Sequence, residues 1–191
     1  MKRHEAIEIL TRAGRRDDVV SIATMQAVPV WHELAPGLPL HIDVLGCMGA
    51  ASSLGLGLAL GHPARKVLVV DGDGALMMQL GSLVTIGNSR ASNLILTVLY
   101  NRRYETSGNQ PIPGAETADL AELARGAGFV TVSRIASSNE LAARIDALVD
   151  GPGPTMVVID VDPEQPSTKW PALSMKQQVQ DVRARLSGRK I

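Results

Sequence analysis

Short β-branched apolar runs alternate along the chain with longer stretches in which apolar residues return every three or four positions, the pattern of buried strands delivered into covering helices. The clearest case is Lys66 to Gln110, KVLVVDGDGALMMQLGSLVTIGNSRASNLILTVLYNRRYETSGNQ. Its apolar run, Val67 to Val70, stops at Asp71-Gly72-Asp73-Gly74, a strand entering a tight turn. Leu76, Met77, Leu80, Leu83, Val84 and Ile86 then recur at helical spacing up to Gly87-Asn88, which predicts a helix ending there. A second buried strand, Leu94 to Tyr100, ends at Asn101. Strand, helix and strand in this order form a βαβ unit with parallel strands.

The same alternation extends to both sides. Met1 to Arg16 reads as an amphipathic helix ending near Gly14, Asp18 to Thr24 as a short strand, and Met25 to Leu34, MQAVPVWHEL, as a loop. Leu38 to Val44 is a second strand, followed by a loop and small-residue helix from Gly46 to Gly61. Gly55, Gly57 and Gly61 lie inside an apolar helical pattern with no strand leading directly into it, so they are read as close helix packing rather than a dinucleotide fingerprint. Beyond Gln110 to Gly114, a loop, a helix starts at Thr117, a strand spans Val130 to Ile135, and Ser138 caps a helix that Gly151-Pro152-Gly153-Pro154 terminates. Thr155 to Val161 is a last buried strand, and a tail carries Trp170 and a helical pattern from Met175 to Leu186. The expected fold is α/β, three layers (α/β/α) around a mostly parallel sheet, with residues 1–165 as one domain and 166–191 as its C-terminal helical tail.

Composition narrows the function. A chain of 191 residues suits one domain and buries about 70% of its unfolded surface. With 45% hydrophobic residues, 20% charged residues and zero formal net charge, no polyanion or membrane surface is attracted by global charge, and no nucleic-acid partner is expected. The single Cys47 excludes an internal disulfide, and no leader or span of about 20 apolar residues is evident, so the expected compartment is the cytoplasm.

The candidate chemistry lies at the strand ends of the central unit. Parallel strands bring Asp73 and Asn101, 28 residues apart, to the carboxyl edge of the sheet, where open α/β sheets bind ligands. A carboxylate and an amide oxygen there can share one Mg²⁺, which takes its other oxygens from phosphate and water. Gly72 and Gly74 let the backbone approach a ligand. Gly72-Asp73-Gly74, then a helix and a strand, then Asn101, resembles the GDG-to-Asn signature of thiamine pyrophosphate enzymes. That resemblance implies a thiamine-diphosphate-binding fold with Mg²⁺ held by Asp73, Asn101 and the carbonyl of Arg103, and with amides of Gly74 and Ala75 facing phosphate. Tyr100 stands where the family usually has a first Asn. Leu45 to Leu60 is similar to the family's pyrimidine-side loop and helix, which implies a carbonyl from Gly46, Cys47 beside it and Met48 as the wedge that bends the cofactor.

Tyr104 to Pro111 resembles the loop that follows the Asn in the sulfopyruvate and phosphonopyruvate decarboxylases, and places Tyr104 and Glu105 against the thiazolium. The resemblance covers roughly residues 1–165 and implies non-oxidative decarboxylation of a small 2-oxo acid. In that group the loop after the first strand tends to carry polar residues; the apolar MQAVPVWHEL argues against a sulfonate or phosphonate substrate. His32 within it is the candidate for proton transfer, Arg102 and Arg103 are either an anion-attracting pair or, the more ordinary reading, an exposed pair after a strand, and His41 and His62 are read as structural or surface residues. Family members also need a glutamate from a second, pyrimidine-side domain, and Glu5, Glu8 and Glu33 sit in no matching motif. The implied partner is therefore a second subunit carrying that domain, in a hetero-oligomer such as α2β2 or larger. A carboligase of the acetolactate synthase type, a 2-oxo acid oxidoreductase subunit and a non-catalytic cofactor-binding relative remain open; one Cys cannot hold the iron–sulfur cluster of an oxidoreductase.

Overall fold

The computed structural model describes residues 1–172 and 174–188. Its strands are β1 (Val19–Thr24), β2 (His41–Val44), β3 (Lys66–Gly72), β4 (Leu94–Tyr100), β5 (Arg103–Tyr104), β6 (Gln110–Pro111), β7 (Thr131–Ile135) and β8 (Thr155–Asp160). The helices are α1 (Arg3–Gly14), α2 (Ala27–Leu34), α3 (Ala50–Gly61), α4 (Asp73–Met78), α5 (Ser82–Ser89), α6 (Leu120–Gly126), α7 (Ser138–Asp150) and α8 (Met175–Leu186). Six strands form one sheet in the order β2-β1-β3-β4-β8-β7, every neighbouring pair parallel, while β5 and β6 make a small antiparallel hairpin.

Period-two alternation sends each strand's side chains into two separate cores. Val20, Ile22, Val67, Val69, Leu94, Leu96, Met156 and Val158 pack beneath α3, α5 and α6, whereas Val19, Ala23, Leu68, Val70, Ile95 and Val157 pack beneath α1, α2 and α7. Both faces are covered, which is why the strands read as unbroken apolar runs. The result is the three-layer arrangement expected from the sequence. The tail helix α8 lies against β2, with Val182 buried in the first core.

Four local expectations need correction. Met25 to Leu34 is not a loop: α2 occupies most of it, and Ala27, Val28 and Trp31 point into the second core, so its apolar composition reflects packing rather than a substrate wall. The helix expected from Leu76 to Gly87 is two, α4 and α5, interrupted at Gln79 to Gly81, where Gly81 weakens the helix and Gln79 packs on Gly49. The helix expected from Thr117 begins at Leu120, because the Asp119 carboxylate accepts the N–H groups of Ala121 (2.8 Å) and Glu122 (3.1 Å). In α7 the cap is Ser137, one residue before the one expected.

Of the three helical glycines in α3, only Gly55 is required by packing: a Cβ there would lie 2.4 Å from Val69 Cγ2, while Gly57 and Gly61 face open space. The tighter approach is at Gly87, where a Cβ would fall 1.9 Å from the carbonyl oxygen of Ala127. Gly87→Ala is therefore expected to destabilise the fold by about 3 kcal/mol, the upper part of the range for overpacking, because backbone must move. Urea unfolding of the variant checks this; an unchanged midpoint would mean that α5 and the end of α6 do not meet this closely.

Candidate cofactor site

The strand order turns back between β1 and β3: the chain steps from β1 out to β2, then returns to lay β3 on the other side of β1. A crevice outside the carboxyl ends of the strands is expected at such a reversal. A cleft lies there, with Thr24, Met25 and Gln26 at the end of β1 on one side and Asp71 to Ala75 at the end of β3 on the other. The hairpin β5–β6 and its connecting turn supply the remaining wall through Arg103 to Ser107.

Asp73 ties the two central strand ends together. One carboxylate oxygen accepts the Gly74 N–H at 2.7 Å, and the other accepts the N–H groups of Asn101 (3.0 Å) and Arg102 (2.5 Å). The Asn101 side-chain oxygen accepts the Arg103 N–H at 2.8 Å. Burial pushes the Asp73 carboxyl up to about 6, although these N–H donors oppose the shift. Asp71, wholly buried two residues earlier, is pushed up to about 7, again chiefly by burial, and one of its oxygens has no hydrogen-bond partner. Two acidic groups thus sit beside one cleft in surroundings that disfavour their charge, a situation a cation relieves.

Of the residues singled out in the sequence, the structure gathers Met48, Gly72, Asp73, Gly74, Ala75, Asn101, Arg103, Tyr104 and Glu105 around this cleft. Gly46 and Cys47, both exposed, and His32 are not among its lining residues. Gly72 has open space where a Cβ would be, as a ligand approach requires, but Gly74 does not: a Cβ would lie 2.6 Å from the Tyr104 ring. The bare face of Gly74 is filled by Tyr104, and its N–H is held by Asp73. Arg102 leaves the cleft to stack over the Tyr100 ring, 4.9 Å from its centroid, so Arg103 is the member of the pair at the site. Tyr100, buried in the first core, takes the place of a polar first Asn and donates its hydroxyl to the Ala115 carbonyl at 3.4 Å.

Glu105 is buried and turned into a structural knot. Arg3 of α1 pairs with one of its oxygens, and the Glu164 N–H donates to the other at 3.0 Å. Arg3 also pairs with Glu164 at 3.3 Å. The cleft wall is thereby stitched to α1 and to the segment that follows β8. Arg3, Gln26 and Asp71 also line the cleft, although they are not among the candidates drawn from the sequence. Gln26 and Asp71 carry a signal, since each lies where a parallel strand ends; Arg3 carries none, being one charge of an amphipathic helix.

The family model of the thiamine pyrophosphate enzyme C-terminal TPP binding domain matches residues 21–159. The chain belongs to the thiamine pyrophosphate enzymes. Among curated relatives of this family, the sulfopyruvate decarboxylase subunit beta of Methanocaldococcus jannaschii is 47% identical over 126 residues, covering 66% of this chain and 65% of that one. The corresponding subunit of Methanothermobacter thermautotrophicus is 42% identical, covering 66% of this chain and 71% of that one. Phosphonopyruvate decarboxylase of Streptomyces viridochromogenes is 37% identical over 64% of this chain but only 30% of its own length. In three dimensions, a thiamine diphosphate-dependent 4-hydroxybenzoylformate decarboxylase of Rhodococcus jostii superposes with a TM-score of 0.71 at 16% identity, over 86% of this chain and 33% of that one. This second likeness is one of fold. The match thus spans about two thirds of the first beta subunit and about a third of the larger thiamine pyrophosphate enzymes.

The donors in the cleft fit the cofactor of this family. The Asp73 carboxylate, the Asn101 amide oxygen and main-chain carbonyls are hard oxygens of the kind Mg²⁺ prefers, and the buried acidic pair lacks a compensating cation among the described residues. No helix of the described residues is long and apolar enough to cross a membrane.

Proposed function

We propose that this chain is the diphosphate-binding subunit of a thiamine pyrophosphate-dependent decarboxylase whose substrate is a small 2-oxo acid with a second acidic group, as in the sulfopyruvate decarboxylases. The observation that carries the proposal is Asp73, a buried carboxylate joining the ends of β3 and β4 beside a cleft at the reversal of strand order. Asp73, Asn101 and the Arg103 carbonyl hold Mg²⁺ in this reading, and the metal neutralises the cofactor diphosphate. Gly72 leaves space for the diphosphate and the Ala75 amide meets it. Met48, in the cleft wall, sets the cofactor's bend, with the Gly46 carbonyl and Cys47 on the pyrimidine side. Tyr104 and the aliphatic part of Glu105 border the reacting end. The bound cofactor supplies a nucleophilic carbon for the 2-oxo group and an electron sink as CO₂ leaves.

The proposal includes a partner subunit. Glu105, the glutamate among the described residues lining the cleft, is already engaged by Arg3 and the Glu164 N–H. Glu5 accepts the Lys2 N–H, Glu8 pairs with Arg12 and Glu33 with His4. None of these is free to activate the pyrimidine, and the relatives named as beta subunits support drawing that glutamate from a second chain in a hetero-oligomer. Exposed Leu60, Met78 and Val84 on the α3, α4 and α5 layer support docking of such a chain.

Substrate choice follows from the relatives' names and from α2. Its apolar side chains face the core, so the argument against an acidic substrate group disappears, and Arg103 stands at the cleft with a permanent charge. Reconstituted with a pyrimidine-side chain, the complex is expected to release CO₂ from sulfopyruvate or phosphonopyruvate with a kcat/KM at least about 100-fold above that for pyruvate, since a site built around a polar group rejects analogues lacking it. Preference for pyruvate, or acetolactate as the product, would replace this substrate assignment.

A further inference from the structure

On the far side of β1 from Asp73, two imidazoles converge on one buried carboxylate. His32 Nε2 lies 2.7 Å from one oxygen of Asp43, and His41 Nε2 lies 2.9 Å from the other. The three candidate ligand atoms all lie within 4.8 Å of one another. His41 and Asp43 are buried on the same face of β2, two residues apart, and His32 reaches them from α2.

Each group is held from behind. The His41 ring stacks on Trp31 with centroids 4.9 Å apart and an interplanar angle of 8°, and its Nδ1 lies 2.8 Å from the Ser21 hydroxyl. Gln178 of α8 donates its amide to the Asp43 oxygen that faces His32, at 2.7 Å, and accepts the Asp43 N–H at 3.2 Å. With three donors turned on it, Asp43 is an anion. Its ion-pair partners among the described residues are these two imidazoles alone, with no Lys or Arg in reach. A buried carboxylate whose ion-pair partners are these two rings alone has no fixed positive charge beside it among the described residues.

We propose that His32, His41 and Asp43 bind one divalent transition-metal ion of the Zn²⁺ type, separate from the Mg²⁺ and cofactor cleft. Two imidazole nitrogens and one carboxylate oxygen are a common three-residue donor set for Zn²⁺, which leaves a fourth position for water. Tetrahedral bonds of about 2.0–2.1 Å need ligand atoms somewhat farther apart than the present hydrogen bonds, and a small rotation of the half-buried His32 provides this. Binding asks His41 to carry its proton on Nδ1 instead of Nε2. The Ser21 hydroxyl serves both states, donating to Nδ1 in one and accepting from it in the other. Gln178 keeps the carboxylate aimed, so the ion fastens α2, β2 and α8 together.

The test uses the purified full chain, stripped of metal and titrated with Co²⁺ as a spectroscopic substitute and with Zn²⁺ in competition. One equivalent of Co²⁺ should give the intense visible absorption of a four-coordinate site, abolished by one equivalent of Zn²⁺ and unchanged in Asp73→Ala. His32→Ala should weaken binding by at least about 100-fold, and Gln178→Ala by about 10-fold, the scale of an outer-shell partner. His32→Gln keeps a hydrogen bond to Asp43, and with it the fold, while removing the imidazole ligand. A wild-type chain without the four-coordinate spectrum, or a spectrum that survives in folded His32→Gln, overturns the proposal and leaves the cluster a hydrogen-bond network.

Discussion

Asp73→Ala is expected to abolish Mg²⁺-dependent binding of thiamine pyrophosphate. The carboxylate is the only charged group in the proposed ligand set, and the bound diphosphate would face Asp71 and the carbonyl oxygens without a neutralising bridge. Truncating one member of a buried, hydrogen-bonded charge pair costs about 2–5 kcal/mol, or roughly 30- to several-thousand-fold in affinity. Alanine also strips the N–H groups of Gly74, Asn101 and Arg102 of their acceptor, which by itself loosens the ends of β3 and β4. Asp73→Asn lessens the second effect, because its one amide oxygen still accepts the Asn101 and Arg102 N–H groups, losing the Gly74 bond alone, and carries no charge. Calorimetric titration of both variants with cofactor, with Mg²⁺ and with EDTA, is the measurement. Wild-type affinity in a folded Asp73→Asn would remove the metal bridge from the mechanism.

The second large effect expected from the proposed function is that turnover depends on a partner. A general acid or base in the right place is worth about 10²–10⁴-fold, and the glutamates of this chain are either engaged elsewhere or outside the cleft. The isolated chain with Mg²⁺ and cofactor is therefore expected to release CO₂ from 2-oxo acids at no more than about 1% of the rate reached after the pyrimidine-side chain is added. The cofactor should still bind to the isolated chain, weakly, through the diphosphate. Robust turnover without a second chain would sink the divided site while leaving the Asp73 result untouched.

Much of this arrangement was legible in the chain before the fold. The unbroken apolar runs from Val67 and Leu94 specify strands covered on both faces, and the turn at Asp71 to Gly74 puts Asp73 at the carboxyl end of one of them. Local physics of that kind is written in neighbouring residues. What was not legible depends on distant ones. The apolar face of α2 looks like a loop until the second core beneath it exists, because eight residues containing a proline carry a weak helical signal. Glu105 appears directed at the cofactor until Arg3, 102 residues earlier, captures it. Gly74 was expected to make room for a ligand, and the room belongs to Tyr104. The break at Gln79 to Gly81 likewise depends on contact with Gly49 rather than on the apolar period, which runs through it undisturbed.

The grip of Gln178 on Asp43 has a further consequence for the chain as a solute. β2 is a margin of the sheet, and a margin offers outward N–H and C=O groups on which a strand from another molecule can grow. The Gln178 amide oxygen accepts the Asp43 N–H and its NH₂ donates to the Asp43 carboxylate, so one main-chain donor of β2 is occupied, with α8 lying against the strand as a shield. The tail helix thus doubles as a guard against edge-to-edge pairing between molecules, and a chain cut before Met175 would leave β2 bare.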